Sequence, residues 1–374
     1  MKSRRPIWLL AGLTILMLML GAVRYWSFQG ALPRGSVKIA SASSWGAMQP
    51  PAGGGINDAI RYYWTSDRSV LHYDIAPDGS QRLVRDRLTS SQRLERDPTF
   101  HGTIPPGMWL LDILQDGAGL LWSRPNPQHP RDMDLYATNA NGSGKPRLLN
   151  ALWQPNRVWL PDGKRWLVDL DTVYLNNADG APMQRIDKSA LRWPMLLGAN
   201  AQSHVIAVYS TDFFVRPDPA FRGLSPNYPA FTFVEFDPLA PSRELRRWKV
   251  RVPKDAESGK IALSPKADRI LWLTYPKRSE FSRWLSGMVP GKKPTQSYGY
   301  ELIVPTGAPR EEVLQVSRLD GSDMHLLARL SENGYTQKNG YKIRYSPLNS
   351  IRWLPDGKHI SFLYHQDLYI APID

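Results

Sequence analysis

Short apolar runs separated by Asp-Gly turns recur along most of the chain. One form of the repeat is almost identical at Trp159–Val168 and Trp353–Phe362. Looser copies run from Leu114 to Trp122 and from Leu263 to Trp272. Asp-Gly suits a hairpin turn because glycine adopts positive φ without a steric cost. Each copy therefore predicts a β-hairpin.

A second repeated segment follows most of these hairpins. It is rich in aromatic and β-branched residues and usually ends in a turn. Its copies begin near Tyr73, Asp134, Thr172, Val316 and Asp367. Two hairpins make a four-stranded sheet that cannot bury its own faces, so successive units must stack. First-hairpin turns are predicted near Asn57, Asp116, Asp162, Asn200, Lys266 and Asp356. Six four-stranded antiparallel sheets in a ring predict an all-β fold, a six-bladed β-propeller.

The repeats also resemble a known family. The Pro-Asp-Gly-Lys turns at Pro161–Lys164 and Pro355–Lys358 are paired with Asp-Leu-Tyr strands that begin at Asp134 and Asp367. This combination is similar to the WD40-like (PD40-type) repeats of the TolB-like propellers. The resemblance covers residues 56–374 and implies that this range is one propeller domain.

Closure of the ring needs a strand from elsewhere in the chain. The sixth unit stops at Asp374, just after its third strand, and so lacks a fourth. Open sheet edges favour aggregation, and natural folds cover them. The segment Gly35–Ser44 is the candidate donor, within a region 24–55 that precedes the first unit. The alternative is that this region is only a linker.

The amino terminus predicts a membrane anchor. Basic residues in 1–6 are followed by an uncharged apolar run, Ile7–Val23, which is just long enough to cross a bilayer. Aromatic residues follow at Tyr25, Trp26 and Phe28, as at membrane interfaces. We expect a bacterial inner-membrane signal anchor with a cytoplasmic tail, residues 1–6, and a periplasmic or extracellular propeller. A cleaved signal peptide is the alternative.

Charge and reactive residues narrow the function. Residues 1–38 hold six basic and no acidic residues, so the net charge of +13 falls to +7 over the rest, and no nucleic-acid motif accompanies it. The absence of cysteine excludes disulfides, thiolate metal sites and lipoprotein processing. None of the seven histidines has zinc-site spacing, and Gly-x-Ser-x-Gly is missing. The sequence therefore predicts no metal and no cofactor, and histidines with structural roles.

Two long insertions are the candidate binding site. Residues 211–230 and 276–310 each lie between the predicted second and third strands of neighbouring units, four and five. Such loops emerge on one face, so both are expected to crowd one rim. Aromatic and basic residues of this kind form protein-binding hot spots. The candidate residues are Phe213, Phe214, Phe221, Trp284, Lys292, Lys293, Tyr298 and Tyr300. The alternative is that the aromatic residues pack back on the propeller as a cap.

Two functions remain open at this point. The first is a non-catalytic scaffold that binds a protein, a peptide or an envelope component through this rim. The second is an enzyme of lyase or glycosidase type that uses the central channel. A glycosidase needs two facing carboxylates, and the sequence does not single out a pair. The side chains that face the channel distinguish the two functions. A cluster of carboxylates or histidines favours an enzyme, and an apolar or mixed wall favours a scaffold.

Overall fold

The computed structural model describes residues 32–41, 62–75, 80–113, 119–128, 133–152, 157–169, 173–177, 182–186, 194–209, 222–224, 230–241, 243–253, 256–276, 311–331, 335–338, 341–344, 348–364 and 367–374. Every regular element within these ranges is a β-strand. None of the described residues forms a helix long and apolar enough to cross a membrane. The predicted tail and anchor, residues 1–23, lie outside the described ranges.

The first half of the chain forms three antiparallel sheets, after a short strand β1 at Val37–Ala40. Sheet one contains β2 (Tyr62–Ser66), β3 (Ser69–Ile75), β4 (Gln81–Leu88) and β5 (Leu94–Arg96). Sheet two contains β6 (Trp109–Ile113), β7 (Gly119–Pro125), β8 (Met133–Asn139) and β9 (Arg147–Leu152). Sheet three contains β10 (Arg157–Trp159), β11 (Arg165–Asp169), β12 (Val173–Asn177) and β13 (Pro182–Ile186).

The second half forms three more antiparallel sheets and one separate hairpin. Sheet four contains β14 (Pro194–Ala199), β15 (Val205–Tyr209), β17 (Ala230–Phe236) and β18 (Glu244–Arg251). Sheet five contains β16 (Arg222–Leu224), β19 (Ala256–Leu263), β20 (Arg269–Pro276), β21 (Glu311–Arg318) and β22 (His325–Ser331). The separate hairpin is β23 (Tyr335–Lys338) with β24 (Tyr341–Arg344). Sheet six contains β25 (Leu348–Trp353), β26 (His359–Tyr364), β27 (Asp367–Pro372) and the early strand β1.

The six sheets are the blades of a six-bladed β-propeller, which confirms the predicted fold class. Strands within most sheets follow one another along the chain, so each blade is a meander. The two exceptions are β1, which joins the last sheet, and β16, which falls between strands of sheet four but joins sheet five. Strand β1 completes sheet six, and β16 adds a fifth strand to sheet five. First strands of neighbouring sheets contact one another (β2 with β6, β10 with β14 and β14 with β19), which places the first strands around the central axis.

Side chains that accept backbone N–H groups close the first-hairpin turns. Asp162 Oδ1 accepts the N–H groups two and three residues later, at 2.9 and 3.1 Å, and Asp356 Oδ1 does so at 2.7 and 3.1 Å. Asn200 and Ser264 act in the same way in sheets four and five. Short polar side chains favour turns through this local bonding. The turns predicted near Asp162, Asn200, Lys266 and Asp356 are therefore confirmed.

The first two units need separate statements. The turn predicted at Asp116 lies outside the described residues, but β6 and β7 pair on either side of it. The turn predicted at Asn57 also lies outside them, and the described first sheet begins at Tyr62. Its first described hairpin turns at Asp67, and the short edge strand β5 supplies the fourth strand. The repeated segment that begins at Tyr73 was expected to join the third strand of its unit to the fourth. In the structure it joins the second described strand, β3, to the third, β4.

Strand β1 closes the ring, as predicted. It pairs antiparallel with β27, with Val37 opposite Ile370. Lys38 Nζ donates to Asp367 Oδ2 at 2.7 Å, and Ile39 is buried among core residues of sheets one and six. The region between the predicted anchor and the propeller is therefore more than a linker, because it completes sheet six.

The hydrophobic core lies between neighbouring sheets. Three tryptophans on second strands, Trp122, Trp166 and Trp272, are completely buried and pack in separate inter-sheet clusters. Each indole N–H has an acceptor on the third strand of its own sheet: Thr138 Oγ1 at 2.7 Å, the Asn177 carbonyl at 2.6 Å and Ser317 Oγ at 2.9 Å. A buried tryptophan contributes a large apolar area only when its N–H is satisfied in this way. The repeated tryptophan of the sequence thus holds successive blades together.

Candidate functional site

The propeller has two faces with different connections. The face called here the turn face carries the tight turns that join first to second and third to fourth strands. The opposite face, called here the insertion face, carries the connections from second to third strands and from one sheet to the next. Residues 211–230 and 276–310 fall between second and third strands, because β15 pairs with β17 and β20 pairs with β21. Both insertions therefore leave from the insertion face, on neighbouring sheets.

The predicted binding residues themselves lie outside the described residues. These are Phe213, Phe214, Phe221, Trp284, Lys292, Lys293, Tyr298 and Tyr300. Their mutual arrangement stays a prediction. What the structure defines is where each insertion begins and ends.

One part of the first insertion is described, and it does not stay with its own sheet. Strand β16 pairs antiparallel with β19, the first strand of sheet five, with Gly223 opposite Lys260. The other edge of β19 is occupied by β20. Since the first strand of a blade borders the central axis, β16 lies on the channel side of sheet five. The first insertion thus reaches from the insertion face of one blade to the inner edge of the next.

The hairpin formed by β23 and β24 is a third non-repeat element on the insertion face. It lies in the connection from the last strand of sheet five to the first strand of sheet six. Its loop is Asn339-Gly340, the strongest short-range signal for a two-residue hairpin. The repeat pattern predicts no element here because the hairpin belongs to no repeat, although this dipeptide between two strand-like runs was sufficient to predict it.

Buried residues anchor the ends of the insertions. Phe231, next to the end of the first insertion, is buried in the cluster between sheets four and five. Glu312, next to the end of the second insertion, is 1% exposed. Nearby, Thr274 Oγ1 donates to the Val313 carbonyl at 3.4 Å. The insertions therefore start and finish at fixed positions. A glutamate in an alternating strand usually points to solvent, so its burial could not be predicted from the sequence.

The inner strands carry a mixed set of side chains. In β6, Asp112 accepts the N–H of the following residue at 2.9 Å, which is a local contact. Trp159 and Trp353 end the inner strands of sheets three and six, and Arg352 is half-buried beside the latter. Within the described ranges, no group of three or more histidine, aspartate or glutamate side chains is arranged to hold a metal ion. Trp159 and Trp353 pack against the core clusters between neighbouring sheets.

A buried histidine–carboxylate pair lies on the side of sheet one that faces sheet six. His72 Nε2 is 2.8 Å from Asp86 Oδ2, and His72 Nδ1 is 3.0 Å from the Tyr73 carbonyl oxygen. Burial opposes ionisation of Asp86, but His72 and Arg96 outweigh it and hold the pKa of Asp86 below its usual value. The pair joins β3 to β4 within sheet one.

Three of the other four described histidines have similar local partners. His204 Nδ1 lies 2.9 Å from Glu235 Oε1, and His359 Nδ1 lies 2.6 Å from Asp356 Oδ2. His325 Nε2 lies 2.8 Å from a backbone carbonyl near the carboxyl end of the chain. These contacts agree with the structural roles predicted for them. His129 and His365 lie outside the described residues.

Comparison with known proteins adds little beyond the fold. No family model and no curated protein matches the chain. Among solved structures, a putative TolB from Agrobacterium tumefaciens is 16% identical, with 84% of this chain and 90% of that chain covered and a TM-score of 0.35. The β-propeller domain of Cps50 (Swd1) from Myceliophteria thermophila is 10% identical, with 91% and 100% covered and a TM-score of 0.39. The tricorn protease is 10% identical, with 92% of this chain but only 34% of that chain covered, and a TM-score of 0.39.

Proposed function

We propose that this chain is a membrane-anchored, extracytoplasmic propeller that binds a protein, a peptide or an envelope component and performs no chemistry on it. The observation that carries the proposal is the grouping of three non-repeat elements. The two insertions and the β23–β24 hairpin all leave the insertion face over sheets four to six. Long loops on a rigid scaffold carry function disproportionately.

The composition of these elements favours a partner with acidic groups. The second insertion holds six basic residues against Glu280 and Glu301. Strands β23 and β24 add basic and tyrosine residues and no acidic ones. Arginine and aromatic residues dominate the energy of protein interfaces, and opposite charge at the rim speeds association. The insertion face is therefore suited to an acidic protein or peptide surface.

The sequence supports membrane attachment, and the closing strand limits the length of the tether. The predicted anchor ends at Val23, and the closing strand begins at Val37, which leaves residues 24–36 as the tether. A tether of this length spans at most about 45 Å when fully extended. The propeller would then work close to the membrane surface. A single cysteine placed at Ser3 of this cysteine-free chain should be labelled only from the cytoplasm, and a mature protein starting beyond Val23 would show a cleaved signal peptide instead.

The binding role is tested by Trp284→Ala. If Trp284 is an exposed anchor on the insertion face, its removal should weaken capture of the envelope partner by roughly 30-fold or more while the melting temperature stays nearly unchanged. Pull-down and thermal melting of the full chain measure both effects. Leu148→Ala is the matched control, because Leu148 is 53% exposed on the outer strand of sheet two. Intact capture with a lowered melting temperature would show that Trp284 is part of a buried cap.

A further inference from the structure

The inner edge of sheet five accepts an added strand. Strand β16 comes from the insertion of sheet four and forms three antiparallel register pairs with β19: Arg222 with Ile261, Gly223 with Lys260 and Leu224 with Gly259. In the other sheets described, consecutive strands of the meander or the closing strand β1 make up the whole sheet. Sheet five is thus the one described blade whose channel-side edge is paired with a segment from a neighbouring blade.

This added strand covers only part of the edge. Strand β19 runs from Ala256 to Leu263, whereas β16 pairs with residues 259–261. The sequence limits β16 on both sides, with Pro219 before it and Pro226 after it. Proline has no N–H to donate and is excluded from a continuing ladder. A proline-free peptide in the same place can pair with more of the same edge.

Backbone pairing of this kind depends weakly on sequence. An extended peptide that adds to a sheet edge gains its affinity from main-chain hydrogen bonds, and its alternate side chains supply specificity. The inner edge of β19 already has the geometry that such a peptide needs, because β16 uses it. The position of β16 also joins this edge to the first insertion, which leaves from the insertion face.

We propose that β16 is an exchangeable internal strand that occupies a peptide-binding edge of sheet five. An extended, proline-free segment of the binding partner displaces β16 and pairs antiparallel with β19 over a longer stretch. This inference deepens the proposed function and rests on it, since the partner is what delivers the peptide.

The lack of cysteine allows a direct test with the full chain in detergent. Gly223→Cys with Lys260→Cys places two thiols at directly opposed positions of an antiparallel pair, where Cα separations suit a disulfide. The probe is a fluorescent peptide that copies residues 217–227 with alanine in place of its three prolines. The reduced protein should bind this probe at least tenfold more tightly than the oxidised protein. Equal affinity in both states, or no binding by the reduced protein, would overturn the proposal.

Two further measurements keep the result clear. The unmodified copy of residues 217–227 should bind the reduced protein more weakly than the alanine version, because its prolines interrupt pairing. Gly223→Pro should bind the alanine probe without any redox step, since proline in β16 removes its ladder donor. If the disulfide variant does not fold, probe binding by Gly223→Pro against wild type decides the question, and equal affinity rejects exchange.

Failure of this inference can be told apart from failure of the proposed function. Oxidised protein that still captures the partner, while Trp284→Ala does not, would reject strand exchange and leave insertion-face binding in place. Probe exchange at β19 together with unchanged partner capture by Trp284→Ala would reject the insertion face as the binding surface. Loss of partner capture in the oxidised protein, restored by reduction, is the result that supports exchange.

Discussion

At the scale of residues, a few buried polar groups fix the interfaces between blades. Asp86 accepts hydrogen bonds from His72 and from Arg96 Nε, the latter at 2.7 Å. Across the same interface, Trp64 Nε1 donates to Ser361 Oγ at 2.7 Å. These groups lie where sheet one meets sheet six, the junction that must hold for the ring to stay closed. Their long-range partners could not be predicted from a sequence that shows only alternating positions.

Replacement of Asp86 by asparagine should destabilise the propeller by roughly 3 kcal/mol, because it leaves buried His72 without its charged partner. The pKa of Asp86 is lowered in the folded state. The stability that the Asp86 carboxylate contributes is therefore fully present above its unfolded pKa of about 3.9. It is lost as the pH falls through the lower pKa of the folded state. Denaturant unfolding should show a large difference between wild type and variant near neutral pH and a smaller one in acid.

Asp320→Asn is the matched control for that change. Asp320 Oδ1 accepts the Ser322 N–H in an exposed turn, and an asparagine oxygen can do the same. Its free energy of unfolding should stay within about 0.5 kcal/mol of wild type. If Asp320→Asn lowers the free energy of unfolding as much as Asp86→Asn does, burial at the closing interface is not the cause of the Asp86 effect.

Gly142 gives a second prediction at this scale. It has φ of 76°, and a Cβ there would lie 1.9 Å from the Thr103 carbonyl oxygen. Gly142→Ala should therefore lower the free energy of unfolding by more than the roughly 1–2 kcal/mol that a left-handed non-glycine residue costs alone. Gly107→Ala is the control, because Gly107 has φ of 67° but its Cβ would come no nearer than 4.0 Å to Arg124. The melting temperature of Gly142→Ala should be clearly lower than that of Gly107→Ala. Equal melting temperatures would contradict the close approach of position 142 to the Thr103 carbonyl oxygen.

At the scale of elements, most of the fold is local and was readable from sequence. A hairpin turn such as Leu160–Arg165 is specified by its own Asp and Gly, so repeated turns predicted repeated hairpins. The closing strand was predicted from a missing partner in the sixth unit. Strand β16 was not predicted, because three residues in a long loop carry no periodic signal and their partner lies in another unit. The β23–β24 hairpin was missed because it stands outside the repeat.

The closing strand provides the prediction at this scale. Ile39 is 4% exposed and packs against sheets one and six, whereas Val37, two residues earlier in β1, is 37% exposed. Ile39→Ala should lower the free energy of unfolding by about 2–3 kcal/mol, through lost burial and a cavity. Val37→Ala should change it by about 0.5 kcal/mol or less. Denaturant titration of both variants checks this, and equal small effects would mean that β1 does not help to close the ring.

At the scale of the whole molecule, the ring separates a repetitive turn face from an irregular insertion face. The turns on the turn face are short, and their own side chains accept their backbone N–H groups, as at Asp162 and Asp356. The insertion face holds the elements that depart from the repeat. Sequence could assign the two insertions to one face because strand order in a propeller fixes where each loop emerges. It could not give the arrangement of their aromatic residues, which depends on contacts within long loops.

The central claim is that a partner binds the insertion face and leaves the turn face free. Photo-crosslinking in intact cells tests it most directly, with a benzophenone amino acid placed at Lys338 on the insertion face or at Lys164 or Lys358 on the turn face. The claim predicts a discrete crosslinked species from Lys338 that disappears with Trp284→Ala, and none from Lys164 or Lys358. A crosslinked species that forms from the turn face and survives Trp284→Ala would contradict it.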